Sequence, residues 1–198
     1  MSKIAIVYYS QTGTNHAMAL AAAAGAEAEG AEVRVLIVPE LAPAAAIERN
    51  EGWQKFRETV ADAPVATLDD LEWADAVIFG TPTRFGNPAS QLSSFLDTAG
   101  GLWARGVLAG KVYAAFTSAA TLHGGHEATL LSLSHYFYHF GGVIVTVGYN
   151  DASVNETGNP YGPSVQQTGD GTRPHAAELA HARALGALVA TTTQKLHG

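Results

Sequence analysis

The stretch IAIVYYSQTGTN, Ile4–Asn15, runs an unbroken apolar segment into a loop of hydroxyls and amides around a single glycine. Ile4–Tyr9 reads as a strand buried on both faces, because a half-exposed strand alternates apolar with polar residues and this one does not. A helical pattern follows over Ala17–Glu29, and Gly30 stands where a left-handed C-cap is usual. Strand, polar loop and helix in that order open a parallel sheet. The loop at their junction faces a helix start, whose free N–H groups and positive dipole end hold an anion when hydroxyls complete the shell. Ser10, Thr12, Thr14 and Asn15 supply hydroxyls and an amide, yet the stretch contains no lysine or arginine.

Working outward, Val33–Val38, Ala76–Gly80, Val112–Thr117 and Val143–Val147 read as four further strands, the first of them alternating at its start as an edge strand does. Helical patterns over Ala44–Val60, Ala89–Leu96, Glu127–Phe140 and Pro174–Leu196 fill the intervals and the end. Asn87 followed by Pro88 has the form of an N-cap and a first-turn proline. In the last helix Leu179, Ala182, Leu185 and Val189 share one face, which should dock on the sheet. The alternation of strands and helices predicts an α/β, doubly wound, five-stranded parallel sheet, order 2-1-3-4-5, with helices on both faces. Two segments exceed the needs of such a sheet: Pro39–Leu71 and the loop Tyr149–Thr172, long enough to suggest function or disorder.

The 198 residues are 47% hydrophobic and 15% charged, which suits one compact domain over 1–198 that buries roughly 70% of its unfolded surface. The formal charge of −7, with 11 basic residues scattered singly, argues against a nucleic-acid surface. Cysteine is absent, so disulfides and thiol redox chemistry are excluded, and redox work would need a bound cofactor. No run approaches the ~20 apolar residues that span a bilayer, and Ile4–Tyr9 is too short for a signal-peptide core. These features predict a cytoplasmic protein that does not insert into membranes.

In an open α/β sheet, ligands sit beyond the carboxyl ends of the strands where the strand order reverses. With order 2-1-3-4-5 that point lies between strands one and three, whose exit loops are YSQTGTNH and GTPTRFGNP, the most polar junctions in the chain. Alone, the first is more often a Ser/Thr-rich turn with an N-cap, and the second is as often a mere proline-punctuated turn as a ligand wall; their coincidence at the switch point favours a site. Arg84, Phe85 and Asn87 offer a guanidinium, an aromatic and an amide to a flat heteroaromatic ring. FTSAATLHGGHE, Phe116–Glu127, would approach the same ring from the other side. G-x-G-x-x-G is missing, and GVLAGK at Gly106–Lys111 fails the P-loop spacing. Among the eight histidines, His135 and His139 are four apart, with His123 and His126 before them, but no zinc-binding spacing is met and no metal is expected.

YYSQTGTN, GTPTRFGNP, FLDTAGGLW, GGHEAT, GGVIVTVGY and NPYGPSVQQTGDGTRP together resemble the WrbA family of flavodoxin-like NAD(P)H:quinone oxidoreductases, from Ile4 to Leu196. The resemblance implies FMN, its phosphate in the loop of Ser10, Gln11, Thr12, Gly13, Thr14 and Asn15. It implies a ring edge held by Pro82, Thr83, Arg84, Phe85, Gly86 and Asn87, and a far side held by Thr117, Ser118, Ala119, Ala120, Thr121 and Gly124, with His139 close to the flavin. Trp103 corresponds to the aromatic that lines the family's substrate pocket. The implied reaction passes a hydride from NADH or NADPH to flavin N5, followed by two-electron reduction of a quinone, in a homotetramer whose sites share residues between subunits. The chain departs from the family at Thr12, where an aromatic is frequent, and in SAATLHGG, where Ala119 and Ala120 replace a hydroxyl and a glycine. A flavodoxin-type one-electron carrier, or a flavin-free interaction or regulatory protein, are the alternative readings; Trp103 and the loop Tyr149–Thr172 would cover a ring that a carrier needs exposed.

Overall fold

A computed structural model describes residues 1–168 and 174–197. The GDG run at 169–171, with Thr172 and Arg173, lies outside the described residues, and so does the part of the long-loop expectation that falls there. The chain begins β1 (Lys3–Tyr8), α1 (Thr14–Ala28), β2 (Glu32–Ile37), α2 (Ala44–Ile47), α3 (Glu51–Thr59), α4 (Leu68–Trp73). It continues β3 (Ala76–Arg84), β4 (Asn87–Pro88), α5 (Ser90–Asp97), α6 (Gly100–Ala104), β5 (Val112–Ala119) and α7 (His126–Phe140). The remainder is β6 (Val143–Ile144), a short 3-10 turn at Gly148–Asn150, α8 (Ala152–Thr157), β7 (Ser164–Gln166) and α9 (Ala176–His197).

The principal strands run parallel in the order β2-β1-β3-β5-β6, the doubly wound order expected from the sequence. Alternation along β1 sends Ile4, Ile6 and Tyr8 to one core with α1 and α9, while Ala5, Val7 and Tyr9 enter a second core with α5 and α7. Both faces of the central strands are thereby covered, which is why their sequences are apolar throughout. β2, at the edge, keeps exposed Glu32 and Arg34. The face of α9 predicted from spacing is buried at Ala182, Leu185 and Val189, while Leu179 is half-buried; Glu178 and His181 lie within the contact instead.

Five expectations need correction. The single helix over Ala44–Val60 is two helices, because Asn50 takes extended φ/ψ and its side chain caps α3 by accepting from Trp53 N–H at 3.0 Å. The third strand runs past Gly80 to Arg84, where Phe85 (φ 55) and Gly86 (φ 80) turn it into β4. Asn87 and Pro88 therefore pair with Thr83 and Arg84 in a hairpin rather than starting a helix, and Ala89 precedes α5. Positive φ at both central residues is the geometry of a two-residue hairpin loop, and the glycine supplies half of it without strain.

The strand expected at Val143–Val147 pairs with β5 only at Val143 and Ile144. The upper half of that edge is taken by β7, from the segment expected to be a loop, which pairs Thr117 with Ser164 and Ala119 with Gln166. That segment is ordered by burial: Val154 and Val165 are fully enclosed in the core. Its sequence alternates too briefly to announce a strand.

Candidate functional site

β1 hands the chain to the loop through Tyr9, whose N–H donates to Gly80 C=O at 2.9 Å. Ser10 is buried, and its Oγ accepts from Gly13 N–H at 3.0 Å, closing the loop on itself. Gly13 holds φ 99, where a side chain would be strained, and an added Cβ would stand 3.3 Å from the Phe56 ring. α1 starts at Thr14 with no side-chain cap and no acidic residue in its first turn. Its first N–H groups thus meet no intrahelical acceptor and point their positive end at the loop. Asn15, buried beside them, donates from Nδ2 to Ser118 Oγ at 3.0 Å, while its Oδ1 has no partner among the described residues.

The β3–β4 hairpin forms the second wall. Arg84 donates from Nη2 to Gln11 Oε1 at 2.7 Å, tying the hairpin to the first loop, and from Nη1 to Thr83 C=O at 3.0 Å. Thr83 Oγ1 accepts from Thr129 Oγ1 at 2.7 Å and from Gly86 N–H at 3.2 Å, so α7 braces the turn. Phe85 projects fully into solvent from the hairpin tip. The loop after β5 makes the third wall; Gly125 comes so close to Gly86 that a Cβ there would press on its Cα.

Burial pushes the Tyr8 phenol up to about 12 and Tyr9 further, against an opposing influence of the Arg57 guanidinium on both. Burial also pushes the His16 imidazole down, so it is neutral near pH 7 and, with Tyr8 Oη at 2.6 Å from its Nδ1, adds no cation to the helix start. Burial of Glu40 works to raise its pKa, but hydrogen bonds from Ala42 N–H, Gln91, Tyr9 and Leu41 N–H hold it below the usual carboxylate range. Glu40 also accepts from Trp53 Nε1 at 3.1 Å, so one carboxylate anchors the 39–60 excursion beside the loop.

The three walls enclose a cleft of about 480 Å³, within the usual range for small-ligand pockets of about 300–1,000 Å³. It gathers Ser10, Gln11, Thr12, Thr14 and Asn15 from the first loop, Pro82, Thr83, Arg84 and Phe85 from the second, and Ser118, Ala119, Ala120, Thr121 and Gly124 from the third. Gly13, Gly86, Asn87 and Thr117 do not line it: the two glycines shape their turns, Asn87 Nδ2 bonds Phe85 C=O at 3.3 Å, and Thr117 is buried against Thr81 C=O.

Trp103 and His139 are not brought to the cleft. They meet each other, Trp103 Nε1 donating to His139 C=O at 2.8 Å. α7 starts two residues after Gly124, which lines the cleft, and carries His139 to the opposite end of the sheet, roughly 20 Å away at 1.5 Å per residue. The residue that sequence reasoning missed is Gln167, which lines the cleft. Its segment stood out by length, but nothing local marks that position.

A larger cavity, about 760 Å³, lies across β7, where Glu127, Glu156 and Glu178 line it together with His123, His126 and His175. No group of three or more His, Asp or Glu among the described residues could hold a metal ion, and no described helix is long and apolar enough to cross a membrane.

The cleft fits a phosphorylated polyol on its own chemistry: an uncapped helix start with hydroxyls around it suits the phosphate, and the unpaired buried Asn15 Oδ1 beside it suits a ligand hydroxyl that donates to it. Residues 2–155 match the family described as NADPH-dependent FMN reductase. Proteins of Rhodopseudomonas palustris and Azorhizobium caulinodans, both named NAD(P)H dehydrogenase (quinone), are 48% and 50% identical over the full length of both chains. A WrbA-like flavodoxin structure from Agrobacterium tumefaciens superposes with TM-score 0.69 at 30% identity, covering 98% of this chain and 99% of that one.

Proposed function

We propose that this chain, which belongs to the NADPH-dependent FMN reductase family, is an FMN-dependent NAD(P)H:quinone oxidoreductase with the flavin in the 480 Å³ cleft. The observation that carries the reading is the bare start of α1 beside the unpaired Asn15 Oδ1, at the switch point of the sheet. When bound, FMN supplies the redox chemistry, taking two electrons from NADH or NADPH and giving them to a quinone.

The chain's own residues bind and orient. Thr12, Thr14 and the first N–H groups of α1 hold the phosphate. Asn15 and Ser118 offer an amide and a hydroxyl to the sugar-alcohol chain that follows it. Pro82–Phe85 and Ser118–Gly124 wall the ring, and Arg84, fixed by Gln11, sets a positive charge at its edge where added negative charge is favoured. Glu40 pins the 39–60 excursion and Thr129 braces Thr83, bonds within the protein that favour a preorganised cleft.

Trp103 lines the quinone pocket in this reading, and it does so from a neighbouring subunit, because its own cleft is at the far end of the sheet. Exposed Trp103, Tyr138, Tyr149 and Tyr161 are suited to subunit contacts, and the assembly proposed is a homotetramer. The protein works in the cytoplasm as one domain over 1–198. The test is turnover: FMN-loaded protein should oxidise NADH or NADPH with benzoquinone well above the rate of free FMN. Turnover no faster than free FMN overturns the assignment.

A further inference from the structure

β7 brings more than an edge strand to the sheet. Its pairing with Ser118 and Ala119 continues one residue further, where Gln167 N–H donates to Ala119 C=O at 2.7 Å. That bond fixes the Gln167 backbone at the rim, and the side chain crosses the cleft to donate from Nε2 to Thr12 Oγ1 at 2.7 Å. Gln167 thus ties a residue 155 positions away into the phosphate loop.

A hydroxyl oxygen that accepts a hydrogen bond still has its own proton to place. Among the described residues no protein group accepts the Thr12 proton, and Thr12 lines the cleft together with Thr14, the first residue of α1, whose start is uncapped. A bond accepted from the Gln167 amide also polarises the hydroxyl and strengthens its donation to the next acceptor.

We propose that Gln167 is a positioning residue that turns the Thr12 hydroxyl into a dedicated proton donor for the FMN phosphate, replacing a cation that the loop lacks. The inference rests on the reading of the cleft as an FMN site. It assigns the segment beyond β7 a role in binding the cofactor's phosphate end, through Thr12 and not through the ring.

Binding of FMN and of riboflavin, which lacks the phosphate, to the full-length flavin-free protein separates the possibilities by fluorescence titration. The wild-type protein should prefer FMN. Gln167→Ala should weaken FMN binding about three- to tenfold, as loss of one oriented hydrogen bond does, and leave riboflavin binding unchanged. Gln167→Glu should weaken FMN further, since a carboxylate takes the Thr12 proton and adds like charge. Thr12→Val should show at least the loss of Gln167→Ala, and combining the two should add nothing.

An unchanged FMN affinity in Gln167→Ala overturns the inference while leaving the FMN reading intact. Equal weakening of FMN and riboflavin overturns it too, by placing the effect on the ring or the fold. A wild-type protein without preference for FMN removes the phosphate site itself, and the inference with it.

Discussion

Asn15 illustrates how a residue can be costly for the fold and useful for the site. Its buried Oδ1 has no donor among the described residues, and leaving such an atom unpaired costs about 1–3 kcal/mol. A ligand hydroxyl at that position relieves the cost, so part of the binding energy is stored in the free protein. Asn15→Ala should therefore weaken FMN binding about tenfold while changing the urea midpoint of the flavin-free protein little. Titration and unfolding in parallel check this, and undiminished affinity would show that the ligand does not use the oxygen. Ser10, Thr12, Thr14 and Asn15 could be read from the sequence because a buried strand followed by a helix leaves their loop only one place to be. The unpaired oxygen could not, since whether an amide finds partners depends on Ser118, 103 positions away.

At the scale of elements, α1 and α9 make the most extensive contact between any two described elements. Both present small residues, and a Cβ on Gly25 or Gly186 would overlap the backbone of the opposing helix. Neither glycine is at a helix end, where it would be read as a cap. They permit close approach at the expense of helix propensity. Gly186→Ala should destabilise by about 2–3 kcal/mol or more, because overlap with backbone cannot be relieved by a rotamer change. Thermal unfolding measures it; a neutral result would mean the helices separate without loss. The alanine-rich pattern of α1 signals a helix but hides this contact, since spacing alone cannot tell which small side chain faces a partner. The same limit explains the hairpin at Asn87–Pro88: its local signature fits a helix start equally well, and the cross-strand partners Thr83 and Arg84 decide.

For the molecule as a whole, His181 couples folding to acidity. It is fully buried between α8 and α9, with Nδ1 2.9 Å from Thr157 Oγ1, and burial lowers its pKa from 6.5 to about 4 against a smaller raising influence of Asp151. Between those values the unfolded chain binds the proton and the folded one does not, so stability falls as pH falls from 6.5 towards 4. The loss reaches about 3 kcal/mol at 1.36 kcal/mol per unit. His181→Gln should flatten this part of the stability profile; equal slopes for both proteins, from unfolding at several pH values, would exclude the histidine as the cause. Sequence alone determined the parallel sheet, its winding and the two loops at the switch point, since continuous apolar strands and turn chemistry are local properties. Tertiary structure decided the rest. A split edge strand, the Gln167 reach to Thr12 and the separation of Trp103 and His139 from the cleft all depend on which distant segments burial brings together, and no local pattern records that.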